Sequence, residues 1–399
     1  LTILHIILRT TDEEFDSITK ALVFWNSYNL PAIGGMTSSA LDPIHIIPTA
    51  SNVTSITCYV PPQISKWQGH FPHHMENIVK CWHVLYQEWY QHNHFINEEG
   101  GDHFINVHDR QNQSCLYLQS RLPSSPYGNQ ILEKVLNCQR RVDKSFEAQH
   151  RSPSEITVAL SGQVPAERDI RWFYSVSEAS AFRQQLLPDL KSPFAADAFS
   201  RTIRIGFIQR KSSRAVLNLE AIVNATHNRS MLPSMNSQYG GPPSSTSWRI
   251  EKSVVYLEDL SLERQAKFFA SNHIIVTPHG AGTINAAFLF PGSVVLEIFP
   301  SMYACMLYYQ MLVEQVGGHY LYWYNGTTTV DENGTVSTTS HRVPSDSTSL
   351  WKGDFDRYKS EFQTLKQASM EPPLFEIMAL IDQGIQHVFD AYLRRGLSL

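Results

Sequence analysis

Apolar and polar positions follow a strand–turn–helix–strand rhythm that is clearest over residues 268–300, FFASNHIIVTPHGAGTINAAFLFPGSVVLEIFP. After the polar pair Ser271-Asn272, the β-branched run Ile274-Ile275-Val276 has the length and content of a buried parallel strand. Thr277-Pro278 ends it, because proline removes a ladder donor. The turn His279-Gly280-Ala281-Gly282-Thr283 follows, and residues 284–290 have helical spacing. Pro291-Gly292 breaks that helix, and 293–298 reads as the next strand. The pattern predicts a βαβ unit with glycines at the carboxyl end of its first strand, where open α/β sheets bind ligands. Small residues there let backbone N–H groups approach an anion, and a following helix N-terminus favours negative charge.

The same alternation extends upstream. Residues 202–209 read as a strand, 219–226 as a helix, 253–258 as a strand, and Ser261 as the start of a helix ending near Ala270. Residues 1–60 read as short strands with a helix around 15–25. A helix from Gly69 to about His94 carries Ile78, Val79, Trp82, Leu85, Tyr86 and Trp89 at three- and four-residue steps. Further strands are expected at 104–107 and 115–118, and helices at 129–139 and 181–190, the last capped within 177–180. Residues 140–155 read as charged and irregular, 228–248 as a long loop, and 325–350 as a Thr/Ser-rich flexible segment. Residues 354–395 read as helical with a break at Pro372-Pro373. The expected domains are 1–195, 196–345 and a helical segment 346–399 packing back on the first. Two domains suit 399 residues, more than one ordinary core holds.

Composition narrows the partners. A net charge of −5 without a basic run gives no support to nucleic-acid binding. The apolar start, residues 1–8, is far shorter than the roughly 20 residues that span a bilayer. The chain begins without methionine, so a missing N-terminal segment is expected ahead of it, and the protein is read as either type II membrane-anchored, in the Golgi or endoplasmic reticulum, or secreted. Six N-x-[ST] sequons, at Asn52, Asn112, Asn224, Asn228, Asn325 and Asn333, tilt the reading toward the lumen of the secretory pathway. Among the five cysteines, Cys58, Cys81, Cys115 and Cys138 allow up to two disulfides, and Cys305 is expected as a buried thiol. Five reduced core cysteines in a cytosolic chain are the alternative.

Three groups of residues carry chemistry. The His279-Gly280-Ala281-Gly282 turn suits an anion, although many sheet proteins need small residues at such turns. Arg210-Lys211-x-x-Arg214, at the end of another strand, is either a phosphate cradle or a solvated basic turn. His70, His73, His74 and Glu76 have the spacing of metal ligands or of a general base, and equally of ordinary surface and core histidines. Glu297 is either a ribose-hydroxyl acceptor or a strand-end carboxylate.

These stretches, in order, resemble the catalytic region of glycosyltransferase family 61. They begin with Trp172-Phe173 and Ala181-Phe182-Arg183, then Arg210-Lys211-x-x-Arg214-x-x-x-Asn218 and Leu260-Ser261-Leu262-Glu263-x-Gln265. Last come Pro278-His279-Gly280-Ala281-Gly282-x-x-Asn285 and Pro291-Gly292-Ser293-Val294-Val295 with Glu297. The resemblance spans about a third of the chain. It implies an α/β fold of GT-B type, two Rossmann-like domains facing across a cleft. It implies inverting transfer of a sugar such as GlcNAc or xylose from a UDP-sugar to a hydroxyl of a protein or polysaccharide, without an obligatory cofactor or metal. The expected donor-binding residues are Arg210, Lys211, Arg214, Asn218, His279, Gly280, Ala281, Gly282, Thr283, Asn285 and Glu297. The expected base is His74, with His70 and Glu76 as alternatives.

Two departures stand out. The family usually has Leu-Thr-Asn after the glycine turn, whereas this chain has Thr283-Ile284-Asn285. Where the family often pairs a histidine with an aspartate four residues on, His70 and His74 align, so an imidazole replaces the carboxylate. A transferase-fold protein that binds without turnover, and a metal-dependent hydrolase built on the histidines, are the competing readings.

Overall fold

The computed structural model describes residues 55–60, 69, 71–87, 114–119, 125–142, 155–159, 172–197, 200–227, 248–300, 306–324, 328–330, 336–338 and 367–395. The chain divides into two compact units, Leu1–Tyr174 and Ser175–Leu399. The expected elements within 1–54, the strand at 104–107, His70, Cys305 and every sequon asparagine except Asn224 lie outside the described residues.

The first unit holds a four-stranded, all-parallel sheet of β1 (Ser55–Val60), β2 (Ser114–Gln119), β3 (Cys138–Val142) and β4 (Glu155–Ala159), in the order β3-β2-β1-β4. Helix α1 (Phe71–Leu85) buries Met75, Ile78, Val79, Trp82 and Leu85, the periodic face read from the sequence. Helix α2 (Pro126–Lys134) starts earlier and ends earlier than expected. Ser125 caps it by accepting from the Gly128 N–H, and Pro126 suits the first turn because that position has no intrahelical acceptor to lose. The stretch read as charged and irregular, 140–155, takes in the end of β3 and the first residue of β4, and 143–154 lies outside the described residues. Gln139, Arg140 and Arg141 are exposed because β3 is an edge strand, where polar side chains face water and guard the open ladder.

Two disulfides join Cys58 to Cys81 and Cys115 to Cys138. One ties β1 to α1 and the other ties β2 to β3 at paired register positions. The sulfurs of Cys81, Cys115 and Cys138 lie within 4.8 Å of one another, so the cross-links share one small core.

The second unit opens with α3 (Val176–Leu186), whose cap is Ser175, two residues before the expected one. After the short α4 (Pro193–Asp197), a five-stranded all-parallel sheet forms from β5 (Thr202–Gln209), β6 (Arg249–Tyr256), β7 (Ile274–Pro278), β8 (Val294–Phe299) and β9 (His319–Tyr324), in the order β6-β5-β7-β8-β9. Helices α5 (Leu219–His227), α6 (Leu262–Ala270), α7 (Met306–Gln315) and α8 (Leu374–Arg394) complete it, beside a small hairpin of β10 (Thr328–Val330) and β11 (Val336–Thr338). Helix α7 and strand β9 carried no expectation from the sequence.

Strand alternation sorts this sheet into two faces. Ile203, Ile205, Phe207, Ile274, Val276, Val294, Leu296, Ile298, Leu321 and Trp323 form one core with Ile222 of α5 and Ile377, Ile381, Ile385 and Val388 of α8. Helix α8 packs on β7, β8 and β9 of this unit, and Trp323 Nε1 donates to Glu376 Oε2 at 2.6 Å to anchor its first turn. The opposite face carries residues 275, 277, 295 and 297 and ends in the site described below.

The segment after the glycines is a 3-10 helix, Ala281–Phe288, where an α-helix was expected. The Asn285 side chain, donating to the Gly282 carbonyl at 2.9 Å, fixes the tighter winding.

Buried His273 joins β5, β7 and α8. Its Nδ1 accepts from the Arg204 N–H at 3.0 Å and its Nε2 meets the Tyr392 hydroxyl at 2.8 Å. Burial, then the charges of Arg204 and Arg395, push its pKa down from 6.5 to about 3, partly offset by the Pro193 backbone. Burial and Arg140 push His74 of α1 to about 3 as well, partly offset by the Ser125 backbone. The unfolded chain therefore binds more protons than the native one below pH 6.5. These contributions are complete above that pH and are lost as pH falls toward 3. By pH 5 each histidine should cost on the order of 2 kcal/mol. Urea unfolding at pH 7.5 and pH 5 measures it, and an unchanged midpoint would contradict the assignment.

Candidate functional site

At the carboxyl ends of β5, β7 and β8, the second unit gathers most of the residues singled out in the sequence. Arg210 follows β5 directly, and His279 follows β7. Gly280 separates His279 from the 3-10 helix. A Cβ at Gly280 would stand 2.2 Å from Arg210 Nη1 and 3.7 Å from Arg214 Nη1, so both guanidinium groups crowd this one backbone position. The glycine is there for room. Its φ of 167° is extended backbone open to any residue.

Arg214 Nη1 donates to the His279 carbonyl at 3.0 Å. Its own φ is 59°, a left-handed conformation costing a non-glycine residue on the order of 1 kcal/mol. The surrounding loop is held tightly enough to keep it. The Gln209 side-chain oxygen accepts from the Arg210 and Val216 N–H groups, and its Nε2 donates to the Val216 carbonyl. The Arg214 N–H donates to the Gln367 carbonyl, Val216 bridges Met370, and Asn218 Nδ2 donates to the Pro372 carbonyl at 2.7 Å. Asn218 thus supports the loop from behind.

Lys211 turns outward and pairs with Asp259 at 2.5 Å, both side chains about half exposed. Asn285 is buried and donates to Gln265 Oε1 at 2.9 Å, while Gln265 Nε2 donates to the Leu257 and Leu260 carbonyls. This network docks α6 against the 3-10 helix. Arg183 of α3 plays a similar part, donating to the Leu289 carbonyl at 2.6 Å with its guanidinium 3.9 Å from the Phe290 ring centroid. Arg210, Arg214, Ala281 and Gly282 remain half-buried, facing outward at this edge.

Glu297 is fully buried. Its Oε1 takes His279 Nδ1 at 2.8 Å and the Thr283 hydroxyl at 3.4 Å, and its Oε2 takes the Tyr320 hydroxyl. In this structure the carboxylate holds His279 and presents no oxygen to solvent. The His279 ring also stacks on Phe299 at 4.8 Å. Tyr320 and Gln209 escaped the sequence reading. Tyr320 sits in an aromatic strand, HYLYWY, where nothing separates it from core residues, and Gln209 looked like an ordinary strand end.

The histidines of the first unit do not share one environment. His73 Nδ1 pairs with Glu76 Oε1 at 3.0 Å near the start of α1. His74 is fully buried, with its ring centroid 5.9 Å from that of Tyr117 and its Nδ1 against Gly128, where a Cβ would come within 2.1 Å. Among the described residues, the one cluster with metal-ligand proximity is Cys81, Cys115 and Cys138, all in disulfides. No helix among the described residues is long and apolar enough to cross a membrane.

What the second unit offers is two arginine cations, Arg214 held by the His279 carbonyl, beside a glycine turn at the carboxyl edge of a parallel sheet. The Arg210 Nε–H there is buried without a hydrogen-bond partner. Such an arrangement can hold a polyanion and offset charge that develops on it. The family model described as Glycosyltransferase 61 matches residues 71–296, from the first residue of α1 into β8. No curated protein matches the chain.

Gly280→Ala tests the arginine cradle. The added methyl meets the far end of the long Arg210 side chain rather than backbone, so the protein should fold with a urea midpoint close to wild type. Displacing the guanidinium should weaken binding of a polyanion, with inorganic pyrophosphate as the probe, by roughly 10-fold, the worth of a charged hydrogen bond. Calorimetry checks it, and equal affinity in the two proteins would show that Arg210 does not touch the ligand.

Proposed function

The chain belongs to glycosyltransferase family 61, and from that premise we propose that it moves a sugar from a UDP-linked donor to an acceptor hydroxyl with inversion. The observation that carries the reading is the pair Arg210 and Arg214 set against Gly280. The UDP diphosphate lies over the His279–Gly282 turn and takes both guanidinium groups. Asn218 and the Asn285–Gln265 pair keep that surface rigid. We take the two parallel-sheet units as the Rossmann-like halves of a GT-B enzyme, with the donor on the second.

In the reaction, an acceptor oxygen bonds to the anomeric carbon as the bond from that carbon to the UDP oxygen breaks. The acceptor proton passes to a base, and the growing charge on UDP is met by Arg210 and Arg214. No metal or other cofactor is assigned a part. His74 is a poor candidate for the proton because burial holds it neutral down to about pH 3 and leaves it no exposed edge. Glu76, beside His73, is the better candidate within the described residues. The acceptor is a glycan or glycoprotein in the secretory lumen. The two disulfides support an oxidising compartment, and Asn224, in a sequon, is exposed on α5.

The burial of His74 also favours a second reading, a transferase fold that binds nucleotide or glycan without turnover. UDP-sugar hydrolysis by wild type and Arg214→Ala separates the two. For an enzyme, the substitution should lower the rate roughly 10- to 100-fold, the worth of a charged hydrogen bond in the transition state. A wild-type rate no higher than that of the variant, with UDP still bound, would make the protein a binder.

A further inference from the structure

Glu297 is enclosed by donors from three separate parts of the second unit. His279 comes from the end of β7, Thr283 from the 3-10 helix, and Tyr320 from β9. We infer that Tyr320 and Glu297 are positioning residues, a buried relay that locks the His279 ring in one tautomer and thereby fixes the His279–Gly282 turn against the arginines. The assignment of a ligand to that turn rests on the nucleotide-sugar reading. The relay itself does not.

The chemistry is constrained by what each group can give. A carboxylate offers lone pairs only, so His279 Nδ1 must carry the proton it shares with Glu297. In the neutral ring, Nε2 is then the unprotonated nitrogen. The same residue is held at three more points. Its N–H donates to the Ile298 carbonyl at 2.8 Å, its carbonyl accepts from Arg214, and its ring stacks on Phe299. One residue therefore links the buried carboxylate to one of the two cations. Tyr320 pairs in register with Val295, two residues before Glu297, so its ring lies along the same sheet face and its hydroxyl reaches toward the carboxylate. Packing accounts for the ring, and Glu297 accounts for the hydroxyl.

The test uses the full chain with 15N-labelled histidine, read by NMR without nucleotide, and the His279 signal assigned by its loss in His279→Asn. Wild type should show Nδ1 protonated and Nε2 unprotonated in the neutral ring. Tyr320→Phe keeps the ring and removes the hydroxyl. It should shift the signal toward tautomer exchange and raise the UDP Kd about 3- to 10-fold, the worth of one hydrogen bond. Tyr320→Leu should lose no more affinity than Tyr320→Phe. A wild-type ring with Nδ1 unprotonated overturns the relay, and so does a Tyr320→Phe protein matching wild type in both readouts. Should Tyr320→Phe fail to fold, the wild-type tautomer still decides. Wild type that binds no UDP would defeat the functional reading while the NMR result continued to judge the relay.

Discussion

Burying a carboxylate costs several kcal/mol unless donors surround it, and the second unit is organised around meeting that demand at Glu297. The three donors belong to the β7 turn, the 3-10 helix and β9, so none can move without leaving the charge exposed to an apolar interior. The cost is thereby converted into rigidity. Through the His279 carbonyl the constraint reaches Arg214, and through Gly280 it reaches Arg210. Four strands of the sheet, β5, β7, β8 and β9, thus contribute to one connected edge.

Much of this unit could be read from the chain because its central strands are buried on both faces. Ile274–Val276 and Val294–Leu296 are continuous apolar runs, the first closed by Thr277-Pro278 and the second opened by Gly292-Ser293, and such runs announce themselves. Strand β5 was legible over its full length, and Ser261, read as the start of a helix, is the cap of α6. The misses share a physical cause. Edge strand β3 exposes Gln139, Arg140 and Arg141, so no alternation survives there. The 3-10 segment has apolar spacing compatible with an α-helix, and the Asn285 side chain, tied back three residues to the Gly282 carbonyl, marks the tighter winding. The disulfide cysteines were identifiable as a group, whereas their pairing depends on strand register, which only the fold supplies.

The histidine cluster shows the limit of spacing arguments. Consecutive residues on a helix point about 100° apart, so His73 and His74 cannot both share the surroundings of Glu76. His73 takes the pairing with Glu76, and His74 turns inward against Gly128 and Tyr117. The resemblance had placed His74 where relatives often carry a carboxylate. A carboxylate in this apolar setting would need donors, whereas a neutral imidazole is tolerated. The substitution is therefore explained by packing, and His74 stays neutral and enclosed.

The two residues that define the anion edge break local backbone expectations in opposite directions. Gly280 occupies extended backbone that any residue could adopt, so conformational freedom does not explain it. Arg214 occupies a left-handed conformation where a glycine would be at ease. Each choice alone weakens the folded state slightly, the first through chain entropy and the second through strain. Together they have one consequence, which is that two guanidinium groups fit side by side over the same peptide. The position of these cations is thus kept at a backbone cost, as suits an edge that can hold a polyanion.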